Sequence, residues 1–174
     1  DSFTIISIKT NDTVPQKVSR QWIRDLDAYD GKTVITTENT EFNLFLIETS
    51  RGCGRHCRFC MAGYCFRKPR HRSLDKLLSY LPQAKNLNKK VGLMGPAISD
   101  YPQINELCSY IRSQDMPMSV ASFRADSVTQ ELVDALAQSG QRTLTLAPEA
   151  GSEKIRHIIN KGIEEEHLFK SISM

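Results

Sequence analysis

Long apolar runs are absent from this sequence, and no stretch is long enough or free enough of charge to span a lipid bilayer. No targeting peptide and no low-complexity tract is recognisable either. These absences argue against a membrane-embedded or secreted protein. We therefore expect a cytoplasmic, folded domain without a membrane partner.

The number and placement of the cysteines argue against a disulfide framework. The chain has five cysteines, an odd count, whereas a disulfide scaffold pairs its cysteines. Four of the five lie within residues 53–65. Three of these, Cys53, Cys57 and Cys60, are separated by gaps of three and two residues, with Phe59 just before the last. This spacing favours a metal centre in a reducing compartment.

Three thiolates in one loop suit an iron–sulfur cluster better than a single metal ion. A [4Fe–4S] cube normally takes one thiolate on each iron, so three thiolates leave one iron open. S-adenosylmethionine can chelate such an iron through its amino and carboxylate groups. The alternative is a structural zinc site completed by His56 or Cys65, but zinc ligands usually form two separated pairs, and no second pair follows. We expect Cys108 to be a buried small hydrophobe. Cys65 is expected to be packed, with a spare thiol near the site as the alternative.

Acidic residues are missing from residues 51–72, which carry seven Arg and Lys residues. The whole chain carries a net charge of only +3, so the rest of the chain is at −4. Three interpretations are open. The cations offset the negative charge of a cluster, they bind an anionic substrate or a nucleic-acid backbone, or they form an ordinary solvated loop.

The cysteine spacing resembles the cluster motif of the radical S-adenosylmethionine superfamily, with Phe59 in its aromatic position. The flanking residues 48–54 and 61–63 resemble those of a branch of iron–sulfur oxidoreductases that are often linked to a cobalamin-binding domain. The resemblance runs from about residue 20 to the end. It implies a [4Fe–4S] cluster on the three cysteines, S-adenosylmethionine as cofactor and, in a longer protein, cobalamin on a domain absent here.

Strands and helices alternate in the predicted fold. Short runs rich in branched side chains predict strands of a parallel sheet buried on both faces. They lie at residues 44–47, 91–94, 119–123 and 143–147. Helical patterns lie between them, the first capped by Ser73 and the third closed by Gly140, and a fourth places Ile155, Ile158 and Ile159 on one face. This is an α/β order with right-handed crossovers. By resemblance it is a fragment of a partial (β/α)6, TIM-like barrel with about four βα units present.

The predicted loops after the strands face the cysteine loop, because active sites of parallel βα folds gather at that end. The resemblance implies cofactor contacts from Phe59, Gly95, Pro96, Ser122, Arg124 and Glu149. Phe59 is expected against the adenine, and Glu149 on the amino or ribose groups, unless Glu149 merely caps the next helix. Arg124 is expected either to pair with a carboxylate of the methionine or the substrate, or to form a surface salt bridge. The superfamily often has an acid for the methionine amino group after the second strand, but this loop has none before Asp100.

The resemblance implies an enzyme that reductively cleaves S-adenosylmethionine to a 5′-deoxyadenosyl radical, which acts on an unidentified substrate. No side chain is assigned as a catalytic residue. The expected partners are S-adenosylmethionine, the substrate and an electron donor such as ferredoxin or flavodoxin. Methylthio transfer to tRNA or a ribosomal protein is a related alternative. An iron–sulfur electron-transfer or sensor domain and a zinc-binding module also stay open.

The expected domain boundary lies near residue 42. Residues 43–174 are predicted to form the incomplete barrel domain, and residues 1–42 a linker or a segment packed on the sheet, with a helix over 14–27. The missing initiating methionine, together with a chain that ends inside a predicted helix, indicates a piece of a longer protein.

A sheet of four strands would expose an edge where a fifth strand belongs, and exposed edges promote association. We therefore expect the isolated chain to self-associate in solution. Light scattering checks this, and a dilute sample that contains only monomer would contradict it.

Overall fold

A parallel sheet lies at the centre of the computed structural model, which describes residues 21–34, 43–121 and 123–174. In chain order the elements are β1 (Leu44–Glu48), β2 (Ser50–Arg51), α1 (Ala62–Cys65), β3 (Arg70–His71), α2 (Leu74–Asn86), β4 (Lys90–Met94), a 3-10 turn (Ile98–Asp100), α3 (Ile104–Ser113), β5 (Met118–Val120), α4 (Gln130–Gln138), α5 (Glu153–Ile158) and α6 (Glu165–Ile172). The sheet order is β1–β4–β5, and β2 pairs with β3 in a separate antiparallel ladder.

The three strands pair in parallel, and helices connect them, as predicted for an α/β fold built from βα units. Phe45 lies opposite Val91, and Gly92 lies opposite Ser119. Burial alternates along β1, where Phe45 and Ile47 are buried while Leu44 is only half-buried. The prediction that strands are buried on both faces is therefore wrong for β1, because its second face is only partly covered within the described residues.

The core lies between the sheet and helices α2, α3 and α4. Its fully buried side chains include Phe45, Ile47, Leu77, Leu81, Val91, Leu107, Ile111, Met118, Leu132 and Leu136. Each of the three helices contributes one apolar stripe, which is the arrangement expected of helices that cover one face of a sheet. This packing fixes the strand ends, and hence the loops that follow them.

The predicted fourth strand at residues 143–147 is reduced to one bridge. Phe123 pairs with Leu146, and the Phe123 N–H donates to the Thr145 carbonyl oxygen at 3.0 Å. The side-chain amide of Gln141 donates to the carbonyl oxygens of Val120 at 3.2 Å and Thr143 at 3.1 Å. The Gln141 side chain therefore binds the carbonyl oxygens of Val120 and Thr143, which would accept backbone hydrogen bonds if the strand pairing were longer.

The predicted signals at Ser73 and Gly140 are confirmed, at the start of α2 and after the end of α4. The Ser73 side chain accepts a hydrogen bond from the Lys76 N–H at 3.1 Å, which caps α2. Thr129 caps α4 in the same way. After α4 the chain turns at Gly140, which has φ +75°, a conformation that favours glycine.

The predicted apolar face of α5 is wrong. Ile155 and Ile158 are 48% and 54% exposed, whereas Arg156 on the same helix is buried. The Arg156 guanidinium donates to the carbonyl oxygens of Ile163, at 2.6 Å, and Gly151, at 2.7 Å. Because these loop carbonyl oxygens require hydrogen-bond donors, the side of α5 that carries Arg156 faces inward.

The described part of the N-terminal segment packs against the sheet. Leu26 is buried, the Thr33 N–H donates to the Leu46 carbonyl oxygen at 2.8 Å, and Lys32 forms an antiparallel bridge with Ile47. Residues 21–27 are not helical, so the predicted helix is wrong over the part that is described. The rest of that prediction lies outside the described residues.

None of the helices in the described ranges combines the length and the apolar character that a bilayer span requires.

Burial along α2 predicts an unequal effect of two leucine truncations. Leu81 is 2% exposed, whereas Leu87, the residue that follows the last residue of α2, is 43% exposed. We expect Leu81→Ala to lower the free energy of unfolding by about 2–5 kcal/mol, because it leaves a cavity in the core. Urea denaturation followed by circular dichroism measures this, with Leu87→Ala as the control. Equal effects of the two substitutions would contradict the described core.

Candidate active site

The cysteine loop begins where β1 ends and is closed at its base by the pairing of β2 with β3. The Cys53 N–H donates to the Phe66 carbonyl oxygen at 3.0 Å. Gly52 has φ +81°, and a Cβ at this position would lie 2.5 Å from the same Phe66 oxygen. Glycine is therefore required where the chain enters the loop.

A cavity of about 200 Å³ brings the three predicted ligands together. Its lining residues are Cys53, Arg55, Cys57, Phe59, Cys60, Pro96, Ala97, Phe123, Arg124, Ala147, Glu149 and Lys161. They come from the cysteine loop, from the loops after β4 and β5, from the segment around residue 147 and from the turn after α5. The carboxyl ends of the strands thus converge as the fold rule predicts.

The thiols fit the ligand set of an iron–sulfur cube. All five cysteines are free, and the Arg55 N–H lies 3.4 Å from the Cys53 sulfur, in the position of a backbone donor to a cluster thiolate. Within the parts of the chain that the structure describes, no three His, Cys, Asp or Glu side chains are placed to share a single metal ion. Each thiolate of a cube binds a different iron, so a shared cavity is the arrangement that a cluster needs.

Two arginines and two aspartates link the cysteine loop to the loops after β4 and β5. Arg55 binds Asp100 through two hydrogen bonds of 2.8 and 2.9 Å and reaches Asp126 at 2.9 Å. Arg124 also binds Asp126, at 2.9 and 3.0 Å. Forked guanidinium–carboxylate pairs hold both position and orientation, so this network fixes three loops relative to one another.

Burial and pairing have opposite effects on Asp100. Burial alone would raise the pKa of its carboxyl, but hydrogen bonds from Arg55 and Ser127 lower that pKa below its ordinary value. The same pairing with Asp100 raises the pKa of the Arg55 guanidinium. Both groups are therefore charged at neutral pH, and the network as a whole is electrically balanced.

Arg124 is not the surface salt bridge that the sequence allowed. Its side chain is 9% exposed, its Nη2 donates to the Lys161 carbonyl oxygen at 2.6 Å, and its Nη1 lies 3.9 Å from the Cys57 sulfur. The guanidinium thus lies between the thiol of Cys57, a predicted cluster ligand, and the Asp126 carboxylate.

Glu149 lies on the cavity wall with an ion pair to Lys161, Oε1 to Nζ at 2.8 Å. Its φ is +70°, an uncommon backbone conformation for a residue other than glycine. Lys161 Nζ also lies 5.6 Å from the centre of the Phe59 ring. The alternative that Glu149 caps α5 receives no support, since its carboxylate pairs with Lys161.

The predicted cofactor contacts are not all brought together. Phe59, Pro96, Arg124 and Glu149 border the cavity, whereas Gly95 borders a neighbouring one with Ser50 and Met94. A Cβ on Gly95 would lie 2.7 Å from the Ser50 hydroxyl oxygen, so the strand end is close-packed there. Ser122 lies outside the described residues.

Sequence reasoning missed Arg55, Asp126 and Lys161 as members of the site. Arg55 was grouped with the other cations of its loop, and nothing local indicates its partners. A signal was present for Asp126, which follows Arg124 by two residues at a predicted strand end. No pattern near Lys161 pointed to the cavity.

The two cysteines outside the motif, Cys65 and Cys108, differ in their burial. Cys108 is buried on α3, as predicted, and burial raises its thiol pKa to about 12. Cys65 is exposed at the end of α1, so the expectation that it is packed is wrong.

Sequence similarity extends across the whole site. The sequence model of the Radical SAM superfamily matches residues 47–174. An uncharacterised protein of Methanocaldococcus jannaschii is 40% identical over 162 residues, which are 91% of this chain and 36% of that protein. A tRNA-2-methylthio-N(6)-dimethylallyladenosine synthase of Chloroherpeton thalassium is 22% identical over 135 residues, which are 71% of this chain and 30% of that protein. The chain thus spans about a third of the length of these relatives.

The lowered pKa of Asp100 gives a pH-dependent prediction. A carboxyl whose pKa is lower in the folded state stabilises the fold above its ordinary pKa, and that stability is lost as the pH falls through the folded value. We expect Asp100→Asn to lower the free energy of unfolding by about 1–2 kcal/mol at neutral pH. The difference from the parent chain should shrink in acid, as measured by urea denaturation at several pH values.

Asp115→Asn is the matched control, since Asp115 is exposed and asparagine tolerates its φ of +55°. A stability difference for Asp100→Asn that does not change with pH, or that equals the control, would contradict the assigned ion pair.

Proposed function

This chain belongs to the Radical SAM superfamily, and on that premise we propose that it holds a [4Fe–4S] cluster at which S-adenosylmethionine is reductively cleaved. The observation that carries the proposal is the convergence of three free thiols on one cavity, which the loops after β4 and β5 also border. Cys53, Cys57 and Cys60 are the proposed cluster ligands. The other residues that line this cavity would hold S-adenosylmethionine.

When bound and reduced, such a cluster supplies one electron to the sulfonium of S-adenosylmethionine, whose carbon–sulfur bond breaks to give methionine and a 5′-deoxyadenosyl radical. The side chains of this domain bind and orient the reactants. An electron donor of the ferredoxin or flavodoxin type would reduce the site.

Individual side chains have distinct proposed tasks. Thiols must lose their protons to bind iron, and the Arg124 guanidinium beside Cys57 offsets the resulting negative charge. Phe59 offers an apolar ring to the adenine. The Glu149 carboxylate, held in place by Lys161, accepts hydrogen bonds from the amino or ribose groups. Pro96, which borders the cavity, is the proposed cofactor contact of the loop after β4, and Gly95 precedes it at the close-packed strand end.

We further propose that residues 43–174 are one part of a (β/α)6 barrel and that residues 1–42 are an adjoining packing segment. The contacts of Leu26 and Thr33 with the domain support this division. The parallel order β1–β4–β5 supports the barrel.

Methylthio transfer to tRNA is a second candidate function for the whole protein. The observation in its favour is the relative from Chloroherpeton thalassium, whose name describes a tRNA-2-methylthio-N(6)-dimethylallyladenosine synthase. The alternatives are an electron-transfer or sensor domain and a zinc module. Metal content and cleavage of S-adenosylmethionine distinguish both from the proposed enzyme.

The test uses the anaerobically reconstituted, chemically reduced chain. We expect it to contain iron and sulfide and to convert S-adenosylmethionine to methionine and 5′-deoxyadenosine, measured by liquid chromatography. Cys57→Ala should abolish both cluster and cleavage, because one of three ligands is lost. Cys108→Ala, the matched control, should keep both and lose only packing stability.

Iron retained by Cys57→Ala would overturn the ligand assignment. A cluster without cleavage would favour the sensor domain. Zinc in place of iron after anaerobic purification would favour the zinc module.

A further inference from the structure

The positive charge of residues 51–72 divides into paired and unpaired cations. Arg51 and Arg72 both bind Glu48, at 2.6 and 2.7 Å, and Arg55 binds two aspartates. No such ion pair within the described residues involves Arg67 or Lys68, and both are exposed. The proposed cluster site thus accounts for only part of this charge.

These unpaired cations lie on a groove away from the cysteines. It has a volume of about 660 Å³, and its lining residues are Trp22, Ile23, Arg24, Arg67, Lys68 and Arg70. No acidic residue is among them. Asp25 and Asp27 are near in sequence, but the Asp27 carboxylate accepts a hydrogen bond from the Ser73 N–H instead. We call this surface the basic groove.

An aromatic ring lies among the cations. Trp22 is 42% exposed, and the Arg70 guanidinium carbon lies 4.8 Å from the ring centre. Arg70 also donates to the Ile23 carbonyl oxygen, while its Nε is buried without a hydrogen-bond partner among the described residues. The groove therefore presents several cations and a planar aromatic surface.

The basic groove adjoins the thiol cavity through shared side chains. Arg70 borders both the groove and an adjacent cavity of about 370 Å³, which also contains Gly52, Phe66 and Pro96. Pro96 borders that cavity and the thiol cavity. A linear polymer bound in the groove could therefore extend by this route along the protein surface to the proposed reaction site.

We propose that the basic groove binds the phosphate backbone of an RNA substrate, with an unpaired base directed along this route. Arg and Lys side chains bind phosphate oxygens, and exposed aromatic rings stack with unpaired bases. An acidic polypeptide offers carboxylates to the cations but no planar base for the indole, so the groove favours RNA. The proposal deepens the proposed function by naming the class of substrate, and it rests on that function only for the reaction.

Trp22 makes the test direct, because it is the only tryptophan in the chain. We expect a short single-stranded oligouridylate to quench its fluorescence on binding, in the absence of S-adenosylmethionine. The double variant Arg67→Glu with Lys68→Glu should weaken binding roughly 25-fold at about 0.1 M salt, because each phosphate contact contributes about 0.7 to the slope of log K against log salt. The slope itself should fall in magnitude by about 1.4.

The control reverses two exposed cations elsewhere, Arg142→Glu with Lys170→Glu. Both double variants change the net charge from +3 to −1, so only the location of the charge differs. The control should bind the oligouridylate as the parent does. Equal weakening in both variants, or no quenching of the parent chain, would overturn the proposal.

Polyglutamate separates RNA from an acidic protein as the partner. Competition by polyglutamate as effective as that by unlabelled oligouridylate, at equal charge concentration, would overturn the assignment to RNA. The binding test does not use cleavage of S-adenosylmethionine. A chain that binds RNA without cleavage contradicts the proposed function alone, and one that cleaves without binding contradicts the groove alone.

Discussion

The parallel pairing of β1 with β4, and of β4 with β5, is the constraint on which the rest of the structure depends. It brings the carboxyl ends of three strands to one edge, so that the loops after them meet. The cysteine loop, the turn that carries Asp100 and the segment from Arg124 to Asp126 are these loops. Residues far apart in sequence thereby form one cavity around three thiols.

The charged side chains at this edge of the sheet form a network in which positive and negative groups are paired. Arg55 neutralises Asp100 and shares Asp126 with Arg124, and the shared carboxylate directs Arg124 towards Cys57. A balanced network in a partly buried place avoids the cost of an isolated charge. It also leaves a guanidinium facing the sulfur, where a bound cluster would add negative charge. Arg67, Lys68 and Arg70 lie on a different surface, the basic groove.

The sequence predicts features that depend on neighbouring residues, and it fails where distant residues decide. The strand predicted at residues 44–47 and the cap predicted at Ser73 rest on local patterns, and the structure has a strand at Leu44–Glu48 and the Ser73 cap. The pairing of Arg55 with Asp100 and Asp126 joins residues 45 and 71 positions apart, which no periodicity reveals. The inward side of α5 depends on loop carbonyls bound by Arg156, again a tertiary effect.

The central claim is that the three thiols hold a cluster with one open iron that binds S-adenosylmethionine. Electron paramagnetic resonance of the anaerobically reconstituted, reduced chain, with and without S-adenosylmethionine, tests it most directly. The account predicts a [4Fe–4S]⁺ signal whose shape changes when S-adenosylmethionine is added. A signal that is identical with and without it, at concentrations that saturate related sites, would contradict the open iron.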